Sequence, residues 1–183
     1  MVADWSVEIG PDLPVIDCSW EGFIDLRNPE AIDRLEEASK HPALCRALLL
    51  LNAANSPVFT TKCDTWTLPE HEVDPYEFDA SAESSHAGFA SYIDLVQRDS
   101  ARFSSFAWHE QWARLLTADL RQLEPQQGRS ELVVRQAIAG ERQGYGITLY
   151  SAGCGADAAG AYQAWEAVLA ATIAAAHRSG LGE

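Results

Sequence analysis

A cysteine lies between two glycines in the segment Tyr150–Asp157, where a strand is predicted to pass into a helix. The N–H groups at a helix N-terminus favour negative charge, so such a turn can bind an anion or lower the pKa of a thiol. Cys154 is therefore a candidate nucleophile, although inert structural cysteines are far commoner and a lone Gly-x-Gly is a weak motif. Asp157 is better explained as the N-cap of the following helix.

A second candidate lies on a helix predicted over about residues 102–123, which carries Trp108, His109 and Trp112. If this helix meets the turn around Cys154, the two form a partly apolar pocket, with His109 as a weak catalytic candidate. This alternative makes the chain an enzyme or a small-ligand-binding protein. No GxGxxG or Walker pattern specifies a cofactor.

Metal-ligating residue types are dense only in the segment Glu70–Asp74. Its alternate carboxylates match the start of an EF-hand loop, but Pro75 occupies the position of the turn glycine and Ser81 that of the closing glutamate. The four cysteines lack zinc-ligand spacing, and the five histidines form no HxH or HExxH pair. We therefore expect no metal site and no cofactor, the weak candidates for a divalent cation being Glu70, His71, Glu72 and Asp74.

The negative charge is concentrated in the first half of the chain. Residues 1–100 carry 19 acidic and 6 basic side chains, residues 101–183 carry 8 and 7, and the net charge is −14. Residues 64–97 contain eight carboxylates and no lysine or arginine. Such a surface repels nucleic acid and anionic lipid and attracts basic proteins. We therefore expect neither a nucleic-acid nor a membrane partner.

Aromatic residues alternate with these acids. Rigid rings supply binding energy, while carboxylates steer a partner and add specificity. The alternative is that the rings cover the core beneath a long loop, which is favoured for Phe89 and Tyr92. The leading hypothesis is a non-enzymatic binding or regulatory module for a basic protein, with these binding residues: Trp66, Glu70, Glu72, Asp74, Tyr76, Glu77, Phe78 and Asp79.

The elements that position these residues follow from hydrophobic periodicity and from turn and cap signals. Strands are predicted over Trp5–Ile9, Val15–Cys18, Val58–Leu68, Gly88–Val96, Glu131–Ala139 and Tyr145–Ser151, with an extended piece at Gly22–Leu26. Helices are predicted from the Asn28-Pro29 cap signal, over Pro42 to about Ala54, over 102–123 and over Asp157 to about His177. The turn Pro125–Gly128 ends the third of these helices.

This order predicts one α+β domain over residues 1–183, with an antiparallel or mixed sheet, helices packed on one face and an acidic loop at about residues 68–86. A ferredoxin-like core fits the order β-α-β-β-α-β, which is followed by β-α.

The last helix is apolar around most of its circumference. This pattern predicts either a deep central helix or a homodimer interface through residues 157–177, unless its alanines simply tolerate solvent. With no secretion signal and no apolar segment of membrane-spanning length, we expect a cytoplasmic protein.

Overall fold

Six strands form one mixed sheet. They are β1 (Val2–Glu8), β2 (Ile16–Asp17), β3 (Val58–Leu68), β4 (Ala87–Gln97), β5 (Gly128–Ala139) and β6 (Arg142–Gly155). The order is β1-β5-β6-β4-β3, and β2 pairs with β5 beyond the end of β1. β1 and β2 run parallel to β5, whereas the other neighbouring strands are antiparallel. The computed structural model describes residues 1–124 and 127–180.

Five helices connect or flank the strands in these residues. They are α1 (Glu36–Lys40), α2 (Pro42–Asn52), α3 (Ser100–Phe103), α4 (Phe106–Arg121) and α5 (Ala158–Gly180). A 3-10 turn, Pro29–Arg34, precedes α1, and the Asn28 side chain caps it by accepting a hydrogen bond from the N–H of Glu30. Within residues 1–124 and 127–180, no helix has both the length and the apolar character that crossing a bilayer requires.

The main core lies between the sheet and the helices α2, α4 and α5. Strand alternation directs Ile93, Leu132 and Leu149 towards these helices, where all three are fully buried. Trp165 of α5 is also fully buried, and its indole N–H donates to the Ser91 hydroxyl at 2.8 Å. This bond fixes α5 against β4 and satisfies two buried polar groups at once.

The structure confirms an α+β fold with a mixed sheet, but it does not confirm a ferredoxin-like core. β6 lies between β5 and β4, and β1 pairs with β5 at the edge. The helix predicted over residues 102–123 is instead divided into α3 and α4, because the Ser105 side chain caps α4 by accepting from the N–H of Trp108 at 3.2 Å. Residues 22–26 form no strand. Pro125 and Gln126 of the predicted turn lie outside the described residues.

The acidic loop is packed onto the sheet rather than extended into solvent. Residues 69–86 contain three 3-10 turns, Glu70–Glu72, Pro75–Phe78 and Ala82–Ser84. Val73 and Phe78 from this segment are buried in a second cluster with Ala90, Ala152 and Cys154, on the sheet face opposite the helices. The loop therefore forms one wall of that face.

Candidate functional site

The sheet face opposite α2, α4 and α5 presents a row of polar and aromatic side chains. We call it the open face. Because successive strand residues point to opposite sides, the residues that alternate with the buried core positions define it. They are Lys62, Asp64, Trp66, Tyr92, Asp94, Arg129, Glu131, Arg135, Thr148 and Tyr150.

Three aromatic rings cross the open face on adjacent strands. Tyr92 of β4 is directly opposite Tyr150 of β6, and their ring centroids are 6.0 Å apart. Trp66 of β3 extends the row, with its centroid 6.2 Å from that of Tyr92. The Arg135 guanidinium lies 5.8 Å from the Tyr150 centroid at the other end. These tilted ring pairs form an apolar strip that a ligand can cover.

A hydrogen-bonded network anchors the same face. The Thr148 hydroxyl donates to Asp94 Oδ1 at 2.5 Å and accepts from Arg135 Nη1 at 3.0 Å. Arg135 also donates from Nη2 to Glu8 Oε2 at 2.7 Å and to the Tyr150 hydroxyl at 3.3 Å. The network joins strands β1, β4, β5 and β6, so the face is held in one arrangement before any ligand binds.

Burial dominates the electrostatics of this network. Asp94 is only 8% exposed, and loss of hydration raises its pKa, while the Thr148 hydrogen bond and the Arg135 and Lys62 charges oppose that rise. Burial likewise raises the pKa of Tyr92, and the Asp94 carboxylate adds to the effect. The protonation of Asp94 on the open face therefore depends on its burial and on its contacts with Thr148, Arg135 and Lys62.

Two cavities open on the two sides of Tyr150. The larger, about 340 Å³, lies under the acidic loop and is lined by Trp66, Leu68, Glu72, Glu77, Phe78, Ala90, Ser91, Arg129, Glu131, Tyr150, Ser151 and Ala152. We call it the acidic groove. The smaller, about 260 Å³, lies beside residues 14–20 and is lined also by Lys62, Tyr92, Asp94, Arg135 and Tyr150.

Charge in the acidic groove is unbalanced. Its carboxylates are Glu72, Glu77 and Glu131, and Arg129 is its one cation. Arg129 forms an ion pair with Glu77 and lies 3.8 Å from Glu131 Oε2. Two negative charges in excess therefore remain beside the Trp66 ring, which is 37% exposed.

The predicted partner-binding residues are divided between the groove and its surroundings. Trp66, Glu72 and Glu77 line the groove. Phe78 lines it too but is 1% exposed, because it packs on the sheet. Tyr76 is 92% exposed.

The remaining acids of that set have local roles. Asp74 caps the turn Pro75–Phe78 by accepting from the N–H of Tyr76 at 3.0 Å. Asp79 ends this turn in the left-handed region, at φ 50°. Glu70 binds His86 Nδ1 at 2.8 Å.

The weak metal candidates Glu70, His71, Glu72 and Asp74 do not converge. Glu70 is paired with His86, and His71 Nε2 lies 3.7 Å from Glu72 Oε1 at an exposed position. In residues 1–124 and 127–180, no three His, Cys, Asp or Glu side chains are placed to hold a metal ion together.

Cys154 and His109 are not brought together. Cys154 is a strand residue of β6, fully buried beside Phe78 on the face away from the helices. Burial raises the pKa of its thiol, so the lowering expected at a helix N-terminus is not found. His109 lies in α4 on the helix side, where its Nδ1 is 2.9 Å from the Ser105 carbonyl oxygen and burial lowers its pKa.

Asp94, Glu131, Arg135 and Tyr150 line the two cavities but were not among the predicted site residues. All four belong to predicted strands, so their alternation with buried positions was the available signal. Comparison of the chain with protein-family models, curated proteins and solved structures finds no match. The open face and its acidic groove are therefore the basis for assigning a function.

Proposed function

We propose that this protein is a non-enzymatic binding module that recognises a basic segment of a partner protein in the acidic groove. One observation carries the proposal: in a cavity of about 340 Å³, three carboxylates and the Trp66 and Tyr150 rings surround a single arginine. A lysine or arginine side chain of the partner fits this chemistry. Its charge complements the excess carboxylates, and its aliphatic stem and cation can cover the Trp66 ring.

The rest of the molecule supports the same partner chemistry. A net charge of −14 gives a long-range field that attracts a basic protein before contact. The pre-formed network around Arg135 and Asp94 limits the rearrangement that binding requires, which reduces its entropic cost. The aromatic row then supplies contact area that is independent of salt.

The proposal is tested with an array of synthetic peptides in which Lys and Arg are placed singly and in pairs within neutral sequences. We expect binding by these peptides and none by the same peptides carrying Glu. Trp66→Ala should weaken the tightest peptide by roughly 30-fold, the effect of losing an aromatic hot spot of about 2 kcal/mol. Glu72→Gln with Glu131→Gln should reduce mainly the association rate and its salt dependence.

A matched charge control separates the groove from the net charge. Glu30 and Asp33 are exposed residues of the 3-10 turn before α1, and this turn packs against α2 on the helix side of the sheet. Glu30→Gln with Asp33→Asn removes the same two charges and should leave peptide affinity almost unchanged. Equal weakening by both double variants, or no peptide binding at all, refutes recognition in the groove.

A further inference from the structure

A third cavity, of about 370 Å³, has the opposite charge from the acidic groove. It lies at the end of the sheet where β3 begins, β4 ends and the β5–β6 turn closes. Three arginines line it, Arg27, Arg98 and Arg142, together with Cys18, Phe59, Val96, Gln97, Phe103, Ala139 and Gly140. The chain has only 13 lysines and arginines, so three at one cavity of an acidic protein need an explanation.

Each arginine is held by the surrounding structure. Arg98 donates from Nε to the Val58 carbonyl at 2.9 Å and from Nη2 to the Asn52 carbonyl at 2.8 Å. Arg142 donates from Nη1 to the Ser100 hydroxyl at 2.8 Å and lies over the Phe103 ring.

Arg27 lies over the Phe59 ring and forms two 2.7 Å hydrogen bonds with Asp25. In residues 1–124 and 127–180, Asp25 is the one carboxylate in ion-pair contact with any of the three guanidinium groups. Burial also raises the pKa of Cys18 to about 11, so this thiol is neutral at physiological pH and adds no negative charge. The three lining arginines and Asp25, which lies outside the lining, together carry three positive charges and one negative charge. Two other carboxylates act on Cys18 but do not line the cavity, those of Asp17 and Asp94.

Gln97, which borders the same cavity, has a buried amide without hydrogen-bond partners in the described residues. The residue is 3% exposed, and both its Nε2 and its Oε1 are unpaired among the described residues. Leaving a buried amide unpaired is costly, and most buried polar side chains have partners. Both amide atoms are shielded in the free protein, so a ligand oxygen can accept from Nε2 only if the side chain turns towards the cavity, and Oε1 then still needs a donor.

We propose that this cavity binds the phosphate group of a small molecule, with Arg27, Arg98, Arg142 and Gln97 as its ligands. The balance of two positive charges matches a phosphate monoester, which carries between one and two negative charges near pH 7. Arg142 keeps Nε and Nη2 for two parallel hydrogen bonds to phosphate oxygens, since only its Nη1 is bonded among the described residues. Arg27 and Arg98 contribute Nη1, because their Nε and Nη2 groups already donate to Asp25 and to backbone carbonyls, respectively. The cavity is larger than a phosphate group alone and leaves space for the remainder of the molecule.

Inorganic phosphate is the probe, measured by isothermal titration calorimetry and by the shift in melting temperature at constant ionic strength. We expect saturable binding of phosphate and weaker binding of acetate. Arg142→Gln should weaken phosphate about tenfold, as expected for the loss of a charge-assisted hydrogen bond. Arg114→Gln is the control, because this substitution removes the same charge at a distant position. Arg114 is an exposed arginine paired with Glu110 on α4.

Gln97→Leu separates binding from folding. It removes the unpaired amide while keeping a side chain of similar size, so it should raise the melting temperature of the free protein and reduce the further rise that phosphate causes. Absence of saturable phosphate binding overturns the proposal. So does equal weakening by Arg142→Gln and Arg114→Gln, acetate binding as tight as phosphate binding, or an undiminished phosphate response in Gln97→Leu.

Discussion

Asp94 shows how the open face retains a carboxylate at a buried position. Its Oδ1 accepts from the Thr148 hydroxyl, and Lys62 is opposite it in the β3–β4 register. These partners do not compensate fully for lost hydration, because the pKa of the carboxyl is raised. At neutral pH the ionised Asp94 therefore costs free energy of folding.

This cost has a defined pH dependence. Between the ordinary pKa of 3.8 and the raised folded-state pKa, the folded protein binds more protons at Asp94 than the unfolded chain does. The contribution of Asp94 to stability therefore falls as the pH rises through that window. We expect Asp94→Asn to be more stable than the unaltered protein at pH 7, with the difference shrinking as the pH falls towards 4. Urea unfolding at a series of pH values measures it.

Asp64→Asn is the comparison for this experiment, because Asp64 is an exposed aspartate on the same face. Because this side chain is exposed, its replacement should change the stability at pH 7 by no more than about 0.5 kcal/mol. A less stable Asp94→Asn protein at pH 7 would contradict the prediction and show that the attraction of Arg135 and Lys62 outweighs burial.

At the level of elements, the contact between α5 and β6 determines the spacing of the helix layer. A Cβ atom placed on Gly153 would lie 2.1 Å from the backbone nitrogen of Trp165, and one on Gly155 would lie 2.4 Å from that of Ala161. The two glycines thus let the helix backbone lie directly on the strand. This close packing explains why glycines flank Cys154. From the sequence alone, a Gly-Cys-Gly segment that packs against a helix looks the same as a turn that presents a reactive thiol.

Gly153→Ala should therefore destabilise the protein strongly. Overpacking costs typically 1–3 kcal/mol and occasionally more, and here the clash is with backbone atoms, so we expect a loss of about 3 kcal/mol or greater. Chemical denaturation measures the loss. Gly10→Ala is the control, because its Cβ would meet only Leu13 Cδ1 and Cγ, at 3.4 and 3.7 Å. Near-equal stability of the two variants would show that α5 can move away from β6.

Local patterns predicted the elements better than they predicted the site. The alternation in Val58–Leu68 defined β3 with the bounds observed. Of the residues predicted to bind a partner, Trp66, Glu72 and Glu77 line the groove, while their binding role stays a prediction. Glu131 and Tyr150 reach the same groove only because β6 lies between β5 and β4. That strand order depends on packing across the whole sheet, which no local pattern records. Ser105 is a residue type that commonly caps helices, so the start of α4 could have been predicted there. The strong apolar periodicity around it favoured one continuous helix instead.

At the scale of the whole molecule, opposite charges are separated along one sheet. The acidic groove and the arginine-lined cavity have different linings, with no residue in common. The proposed basic partner and the proposed phosphate ligand would therefore not compete for the same side chains. This arrangement also explains how a chain with a net charge of −14 can present a site for an anion.

Most of the apolar surface of α5 is buried within its own chain. Trp165, Val168, Leu169 and Ile173 are at most 2% exposed, against the sheet and the helices α2 and α4. This burial matches the central-helix explanation of the sequence pattern. The strip left outside is mainly alanine, with Ala170 and Ala174 exposed and Ala167 and Ala171 partly exposed. It also carries the polar residues Gln163, which is exposed, and Glu166, which is partly exposed.

A homodimer through this strip remains a prediction, and it must be weak. Small interfaces give low affinity, and a net charge of −14 on each chain opposes self-association. We expect a reversible dimer in sedimentation velocity that increases with protein concentration and with salt, and that Ala171→Glu abolishes. Ala118→Glu, at an exposed position of α4, should leave it intact. If the protein is a monomer at every concentration, the dimer prediction is wrong. The burial of α5 within one chain would then be the full reason for its apolar sequence.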